Sequence, residues 1–268
     1  MTPREILALF DAERQIDPAP DAGVRYEHLG NVVRAIGAWN AVVFARLTPE
    51  NADAVIAEQV AFFQSLAVEA AAGDRAIEWK VYGHDLPPDL GARLAAAGFE
   101  PDEPETLVVF DLRTQLRGEP DTRSTGLQGV EIRLVGDDAG FADFIAAGAA
   151  AFGRDVNEQM RRIGRELKAR LADPALALYV AYADGRAVAS ARAEFAPGRS
   201  FAGLWGGGTL PAYRGRGIYR ALVKARAEEA RRRGYRFLRV DARETSRPIL
   251  ERLGFIPLTS IIEWRLRL

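Results

Sequence analysis

Residues 206–220, GGGTLPAYRGRGIYR, have the types and spacing that best fit a chemical task. Arg214-Gly215-Arg216-Gly217 lies directly before a segment with helical periodicity. Glycines let a backbone approach a ligand closely, and the first N–H groups of a helix have no partner within it. These N–H groups, the positive end of the helix dipole and the two arginines together favour an anion. The segment therefore predicts a phosphate-binding turn.

The elements that must position this turn alternate between strands and helices, which is the pattern of an α/β protein. A strand over residues 201–209 leads into the turn, and a helix over residues 217–233 follows it. Next we predict a strand at residues 235–242, a short helix that ends at Gly254 and a final strand at residues 260–268. The turn thus joins a strand to a helix within a sheet protein.

The first half of the chain repeats this order without the phosphate-binding turn. Residues 94–112 (LAAAGFEPDEPETLVVFDL) align with residues 250–268 (LERLGFIPLTSIIEWRLRL). Where the second half has its turn, the first half has PENADAVIAEQ (49–59), which contains neither glycine nor arginine. We therefore predict two tandem domains of one kind. Their bounds are residues 1–116 for the domain without the turn, 117–129 for a linker, and 130–268 for the domain that carries it.

These motifs resemble those of the GNAT superfamily of N-acetyltransferases. The signature of that family, Arg/Gln-x-x-Gly-x-Gly/Ala, binds the pyrophosphate of acetyl-coenzyme A, and residues 214–219 align with it. The approach to the signature, apolar-x-Pro-x-Tyr-Arg-Gly, aligns with residues 209–215, with Thr209 in the apolar place. The resemblance implies an α/β (α+β) fold class with two tandem acyl-CoA N-acyltransferase-like domains, the first one degenerate. Each would be a mixed, mostly antiparallel sheet flanked by helices.

The resemblance also implies a site and a reaction. An amine would attack the thioester of acetyl-CoA directly, in a cleft where the fourth and fifth strands of the domain splay apart. A backbone N–H at the end of the fourth strand, that of Thr209 or Leu210, would contact the oxyanion. Gly206, Gly207 and Gly208 would let this strand bulge to admit the cofactor's arm. The cofactor-binding residues would be Thr209, Leu210, Arg214, Gly215, Arg216, Gly217, Ile218 and Tyr219.

Some catalytic positions depart from the family pattern or stay open. Tyr219 stands where the family has Gly or Ala; its side chain either shapes the pocket or packs against the sheet. Leu250 stands where many members carry the tyrosine that protonates the leaving thiolate, so the acid is unassigned. The candidate bases are Glu194 and Asp241, at the expected ends of the third and fifth strands. Each is alternatively a solvated or salt-bridged group.

Composition limits the classes of function. The net charge of −1 gives no global basic field, so we expect neither nucleic acid nor membrane as a partner. The chain has no cysteine, which excludes disulfides and thiol nucleophiles and fits a cytoplasmic location. The two histidines lack a second ligand at a recognisable spacing, so we expect no metal. The N-terminal residues lack the basic region of a signal peptide, and no apolar run is long enough to span a bilayer.

The resemblance, taken with the composition, therefore implies an enzyme, a cytoplasmic acetyl-CoA-dependent N-acetyltransferase. Its acceptor would be a primary amine of an unidentified small molecule or peptide, and only the second domain would bind the donor. The main alternative is a non-catalytic acyl-CoA-binding sensor or interaction protein, which Leu250 favours. A weaker alternative is transfer from a different acyl donor. A homodimer is left open.

Overall fold

Strands and helices alternate along the described chain, as the sequence predicts. The structure, a computed structural model, describes residues 1–15, 24–37, 39–69, 76–117, 129–153 and 158–268, so most of the predicted linker lies outside the described residues. The chain divides into two compact units. The first comprises Met1–Val108, Asp241–Arg247 and Pro257–Leu268, and the second comprises Val109–Val240 and Pro248–Ile256.

The first unit is a mixed sheet with helices packed on it. Its strands follow the order β1-β2-β3-β4-β12-β6, in which β3 and β4 are parallel and the β1–β2, β2–β3 and β4–β12 pairs are antiparallel. A buried apolar cluster that includes Phe63, Trp79, Leu94 and Trp264 forms its core. The elements that lie wholly or mostly in this unit are α1 (Pro3–Gln15), β1 (Val24–His28), β2 (Val32–Gly37), β3 (Ala41–Ala45), α2 (Ala52–Glu69), β4 (Ala76–Tyr82), α3 (Leu90–Ala96), β5 (Glu100–Pro101), β6 (Glu105–Asp111) and β12 (Ile256–Arg267).

The last strand of the chain lies in the first unit, which differs from the predicted domain bounds. β12 pairs with β4 from Ile261 opposite Tyr82 to Arg267 opposite Ala76. Trp264 is buried in the core of the first unit. Alignment of the two halves predicted the strand itself, but apolar periodicity does not say which sheet a strand joins. Residues 257–268 therefore lie in the first unit, outside the predicted bounds of the first domain, and the tandem-domain organisation stays a prediction.

The second unit is an antiparallel meander with one parallel strand added. Its strands follow the order β11-β10-β9-β8-β7, and only the β10–β11 pair in this series is parallel. Asp184 and Gly185 form the predicted hairpin between β8 and β9. The elements wholly or mostly in this unit are β7 (Val130–Leu134), α4 (Asp138–Ala151), α5 (Glu158–Ala169), β8 (Leu176–Ala183), β9 (Arg186–Glu194), β10 (Phe201–Thr209), a 3₁₀ turn (Pro211–Tyr213), α6 (Ile218–Arg232), β11 (Phe237–Ala242) and α7 (Arg247–Leu253).

Helices cover both faces of the second unit's sheet. At Gly207 the Cβ position points to the Tyr219 ring of α6, 3.0 Å away, whereas at Gly208 it points to the Ala151 methyl of α4, 2.9 Å away. α6 packs on its face because Ile218, Leu222, Val223, Ala227 and Ala230 are buried at helical spacing. Among the described residues, no helix is both long and apolar enough to cross a membrane.

Candidate active site

The turn between β10 and α6 has the open backbone that the sequence predicts. Gly215 has a φ of +75° and Gly217 a φ of +83°, a region that residues with a side chain rarely adopt. Apart from the adjoining residues of the chain, no heavy atom of the described residues lies within 4 Å of the Cβ position of either glycine. Gly217 is the N-cap of α6 and has no side chain with which to cap the helix, and its carbonyl accepts from the Ala221 N–H at 3.0 Å. The N–H groups before Ala221 are the donors that a helix offers to an anion.

Arg214 takes a different role from the predicted one. Its Nε donates to the Thr209 carbonyl at 3.1 Å, and its Nη2 donates to the Ala151 carbonyl at 2.9 Å. These bonds tie the turn to the ends of β10 and α4, so Arg214 braces the turn. Arg216 is exposed, with its guanidinium carbon 5.2 Å from the centroid of the Tyr213 ring. A phosphate contact from Arg216 stays a prediction.

Ile218 and Tyr219 contribute backbone to the turn, because their side chains face the interior. Ile218 is buried, and the Tyr219 ring packs beside Gly207. Burial raises the pKa of the Tyr219 hydroxyl, which the charge of Arg226 opposes. The Tyr219 side chain was expected either to shape the pocket or to pack against the sheet. Its contact with Gly207 of β10 fits packing against the sheet.

The N–H of Leu210 is already used in strand pairing. It donates to the Val188 carbonyl at 2.9 Å, so it is not free to contact an oxyanion, and that prediction needs correction. The Thr209 carbonyl accepts from Arg214, and the Thr209 hydroxyl oxygen is buried with no hydrogen-bond partner among the described residues. Thr209 and Leu210 thus end the strand beside the turn.

The predicted bulge in β10 is present two residues before Thr209. Trp205 lies opposite Arg192 of β9, but Gly208 lies opposite Ser190, so Gly206 and Gly207 together face the single residue between. An extra residue in a bulge is left out of the ladder, which frees its backbone groups. The N–H groups of Gly206 and Gly207 therefore replace that of Leu210 as candidates for the oxyanion contact.

β10 and β11 separate after a short pairing. The register joins Phe201 to Phe237, Ala202 to Leu238 and Gly203 to Arg239, and it ends there although β10 continues to Thr209. The part of β10 that leaves β11 contains the bulge and leads into the turn. This geometry matches the splayed strand pair that the resemblance implies.

Glu194 lies at the wrong end of the sheet for the predicted base. β9 and β10 are antiparallel, so Glu194 faces Gly203, whereas Ala189 faces Thr209. The two positions are five residue steps apart along β9, a distance on the order of 17 Å. The Glu194 carboxylate lies 3.8 Å from Arg170 Nη1 and 3.7 Å from Arg192 Nε. Its alternative reading as a salt-bridged group is the one that fits.

Asp241 is paired with a cation within the first unit. Its Oδ2 lies 2.5 Å from Lys80 Nζ, and its side chain is 2% exposed. Burial, and after it the charge of Asp241, raises the pKa of Glu105 in the same unit. Lys80 already compensates the charge of Asp241, so the salt-bridged alternative fits Asp241 as well. The structure brings neither candidate base to the turn by a described contact.

The position of the missing acid is apolar core. Leu250 is fully buried, and a leucine side chain cannot donate a proton. Arg226 is a further residue of the site that was not predicted from the sequence; it is buried one helical turn after Leu222 on the same face of α6. Burial lowers the pKa of Arg226 to about 10, and its Nε and Nη1 donate to the carbonyls of Leu222 and Arg192. Its Nη2 lies 3.4 Å from the Cβ position of Gly207, directly behind the bulge.

Among the described residues, no group of three or more His, Asp or Glu side chains could hold a metal.

Comparison with known proteins shows what the chain is similar to. Residues 147–255 match the model of the Acetyltransferase (GNAT) family. A GCN5-related N-acetyltransferase from Kribbella flavida shares the fold at a TM-score of 0.66 and 16% identity, over 97% of this chain and 94% of that one. A tandem GNAT protein from the clavulanic acid biosynthesis pathway does so at a TM-score of 0.61 and 14% identity, over 99% and 94%. No curated protein sequence matches the chain.

These matches confirm the resemblance on two counts. The segment that matches the family contains β10, the turn and α6, which are the elements that carry the signature. The structures that share the fold cover nearly the whole chain, and one of them is itself a tandem GNAT protein. The chain therefore has the GNAT acyl-CoA N-acyltransferase-like fold, which supports acetyltransferase activity in general.

Proposed function

We propose that the protein is an N-acetyltransferase that uses acetyl-CoA and transfers the acetyl group directly to a primary amine. The observation that carries this proposal is the open turn at Gly215 and Gly217, which leads into α6 next to a bulged, splayed strand. The match of residues 147–255 to the GNAT family supports the same reaction. We propose one donor site per chain, in the second unit.

The residues of the turn would hold the donor by its pyrophosphate. The first N–H groups of α6 would donate to the phosphate oxygens, and the lack of side chains at Gly215 and Gly217 would let those oxygens come close. Arg214 would keep the turn in place through its bonds to Thr209 and Ala151. Arg216 would add a cation at the surface.

The bulge would act on the acyl group. Acetyl-CoA supplies a thioester whose carbonyl carbon the amine attacks, forming a C–N bond and breaking the C–S bond. An N–H of Gly206 or Gly207 would donate to the carbonyl oxygen as it gains charge, with the cation of Arg226 behind it. The attacking nitrogen gives up one proton, and the departing thiolate takes up one. With Leu250 buried, we propose that solvent supplies that proton, since a thiol pKa of roughly 8.5 makes a tolerable leaving group.

A matched pair of glycine variants tests the donor site. Gly217 and Gly234 lie at opposite ends of α6, with φ values of +83° and +82°, and each has open space at its Cβ position. Valine at either position adds the same backbone strain, but only Gly217→Val places a side chain where the pyrophosphate would lie. Titration calorimetry should show that Gly217→Val loses acetyl-CoA binding, whereas Gly234→Val keeps it. Equal affinities in the two variants would refute the site.

A second candidate is a sensor that binds acyl-CoA without turning it over. The buried Leu250 in place of the usual acid favours this candidate. Thiol release from acetyl-CoA, measured across a library of primary amines, separates the two functions. Acetyl-CoA binding with no turnover on any amine would favour the sensor, and turnover on one amine would favour the enzyme. Comparing acyl-CoA chain lengths in the same assay tests for another acyl donor.

The surroundings of the enzyme are part of the proposal. We propose a small-molecule or peptide amine as acceptor, with no nucleic acid or membrane partner, because the chain carries a net charge of only −1. A cytoplasmic location fits a chain without cysteines. Fractionation of cells that express the full chain tests the location.

A further inference from the structure

Two arginines flank Trp205 on the sheet of the second unit. The guanidinium carbon of Arg192 lies 5.6 Å from the ring centroid of Trp205, and that of Arg239 lies 4.9 Å from it. A third arginine, Arg170, lies 3.8 Å from Glu194, which is also 3.7 Å from Arg192. We call Arg192, Trp205 and Arg239 the arginine–tryptophan cluster. The roles proposed above for the turn and the bulge do not involve these side chains.

The cluster lies on the face of the sheet opposite α6. Ser190 of β9 faces α4, because its hydroxyl oxygen lies 3.1 Å from the Cβ position of Gly148. Arg192 is two residues further along β9 and so shares that face. The register places Trp205 directly opposite Arg192, and Arg239 beside Gly203, where the Trp205 indole also packs. The donor turn leads into α6 on the other face.

The cluster also borders the cleft. Gly203 and Arg239 form the last pair before β10 and β11 separate, and the bulge begins directly after Trp205. A molecule bound on the cluster would therefore reach the splayed strands from the α4 face, while a donor held at the turn would reach them from the α6 end. This is the arrangement that an acceptor and a donor need if they are to meet at the bulge.

The charges of this region favour an anionic ligand. Arg192 Nε is buried and has no hydrogen-bond partner among the described residues, since its 3.7 Å distance to Glu194 is too long for one. Glu194 is shared with Arg170, which also contacts Asp173 at 3.2 Å. A buried donor without an acceptor is costly, and a guanidinium binds a carboxylate in a bidentate, charge-assisted way. The neighbouring indole offers an apolar surface for the rest of a ligand.

We propose that the arginine–tryptophan cluster binds the carboxylate of the acceptor, so that the substrate is a primary amine that carries a carboxylate. Arg192 and Arg239 contact the carboxylate, and the Trp205 indole covers the adjacent carbon chain. The amine then lies over the bulge, where it attacks the thioester. This inference rests on the proposed function and specifies the acceptor class of the same site.

Matched acceptors provide the test on the full chain. We would measure coenzyme A thiol release with glycine, β-alanine and 4-aminobutyrate, each against its own carboxamide, which keeps the amine and removes the charge. The variants are Arg192→Met, Arg192→Lys, Arg239→Met and the control Arg186→Met. Arg186 is exposed on β9 and far along the strand from the cluster. Thermal unfolding of each variant confirms that it is folded.

The proposal predicts that at least one acid is preferred over its carboxamide by 10-fold or more in kcat/KM. Arg192→Met and Arg239→Met should each reduce that preference on the order of 10- to 100-fold, through KM, because a charge-assisted hydrogen bond is lost. Arg192→Lys should retain part of the preference, and Arg186→Met should retain all of it. Equal use of acids and carboxamides, a preference unchanged in both methionine variants, or turnover of neither class would overturn the proposal.

Titration with acetyl-CoA separates this failure from failure of the proposed function. If acetyl-CoA binds the wild-type chain but the acids show no preference, the acceptor class is wrong and the donor site stands. If acetyl-CoA does not bind, the proposed function itself is wrong. Binding by the Arg192→Met variant should equal that of the wild type, because the cluster lies on the face opposite α6.

Discussion

The first turns of α2 and α6 follow corresponding strands in the two units, and they differ in how the turn is closed. Before α2, the Thr48 N–H donates to the Asn51 side-chain oxygen at 2.8 Å, and the Ala52 N–H donates to the Thr48 carbonyl at 3.1 Å. Before α6, Gly215 and Gly217 hold the backbone open at positive φ, and the N-cap residue Gly217 has no side chain with which to cap the helix. The turn before α2 therefore satisfies backbone N–H groups within itself, whereas the turn before α6 leaves its backbone N–H groups open to a ligand.

The charged residues of the two turns also favour anion binding before α6 and disfavour it before α2. Glu50 and Asp53 lie at the start of α2, and Asp53 pairs with Arg93 at 2.9 Å. Arg214 and Arg216 lie at the start of α6. Carboxylates at a helix N-terminus compete with any bound anion, whereas arginines attract one. The first unit has thus kept a stable helix start of a kind that repels phosphate.

The strands that precede the two turns remain alike. In the first unit, β3 and β4 are parallel and pair only from Ala41 opposite Glu78 to Val42 opposite Trp79. In the second unit, the parallel pairing of β10 with β11 is similarly short. The comparison teaches that the strand frame alone does not make a donor site, and that the residues of the turn decide the difference.

The largest expected effect comes from closing the bulge that Gly206 and Gly207 form in the second unit. The Cβ position of Gly207 lies 3.0 Å from the Tyr219 ring and 3.4 Å from Arg226 Nη2. A valine side chain at this position must therefore push away the Tyr219 ring or the Arg226 guanidinium, or shift the backbone of the bulge. We expect kcat to fall on the order of 100-fold, with acetyl-CoA affinity nearly unchanged, because the oxyanion donor moves. Steady-state kinetics and calorimetry measure the two quantities. Gly185→Val, in the hairpin, is the control, and equal kinetics in both variants would contradict this role for the bulge.

A smaller effect should follow from removing the brace of the turn. Arg214→Met deletes the hydrogen bonds to the Thr209 and Ala151 carbonyls. The turn is then less ordered before acetyl-CoA binds, and ordering it costs part of the binding free energy. We expect acetyl-CoA binding to weaken about 10-fold, since bonds to a charged donor contribute about 1.5–3 kcal/mol. Arg46 is exposed directly after β3, and Arg46→Met is the control in the first unit. If both variants weaken acetyl-CoA binding to the same extent, the loss comes from the lower positive charge of the chain and not from the hydrogen bonds of Arg214.

The smallest effect should come from opening the turn of the first unit. Asn51→Ala removes the acceptor for the Thr48 N–H and should lower the free energy of unfolding by about 1 kcal/mol, as loss of a helix cap does. Chemical denaturation measures this loss. Acetyl-CoA affinity and stoichiometry should not change, because α2 retains its acidic residues. A second molecule of acetyl-CoA bound by this variant would show that one hydrogen bond had blocked a working site.

The sequence predicted the fold where local patterns decide it. Helical spacing in α6, the glycines of the bulge and the open turn are local features, and the structure contains all three. The placement of β12 depends on which core buries Trp264, and periodicity does not encode that choice. The sequence therefore did not indicate that residues 257–268 lie in the first unit.

The candidate site was predictable to the same extent. Gly215 and Gly217 were identified correctly as an open turn, because a positive φ has a residue signature. The use of the Leu210 N–H and the end of the sheet at which Glu194 lies depend on strand register and direction, which a single sequence does not supply. The cluster of Arg192 with Trp205 arises from the same register and was missed. Arg226 could have been found from its helical spacing to Leu222.

Titration of the full chain with acetyl-CoA tests the central contrast most directly. The account predicts one molecule bound per chain by the wild type, one by Gly234→Val and none by Gly217→Val. Two molecules bound per chain would show that the turn before α2 also holds a donor. No binding by the wild type would show that the open turn before α6 does not hold one.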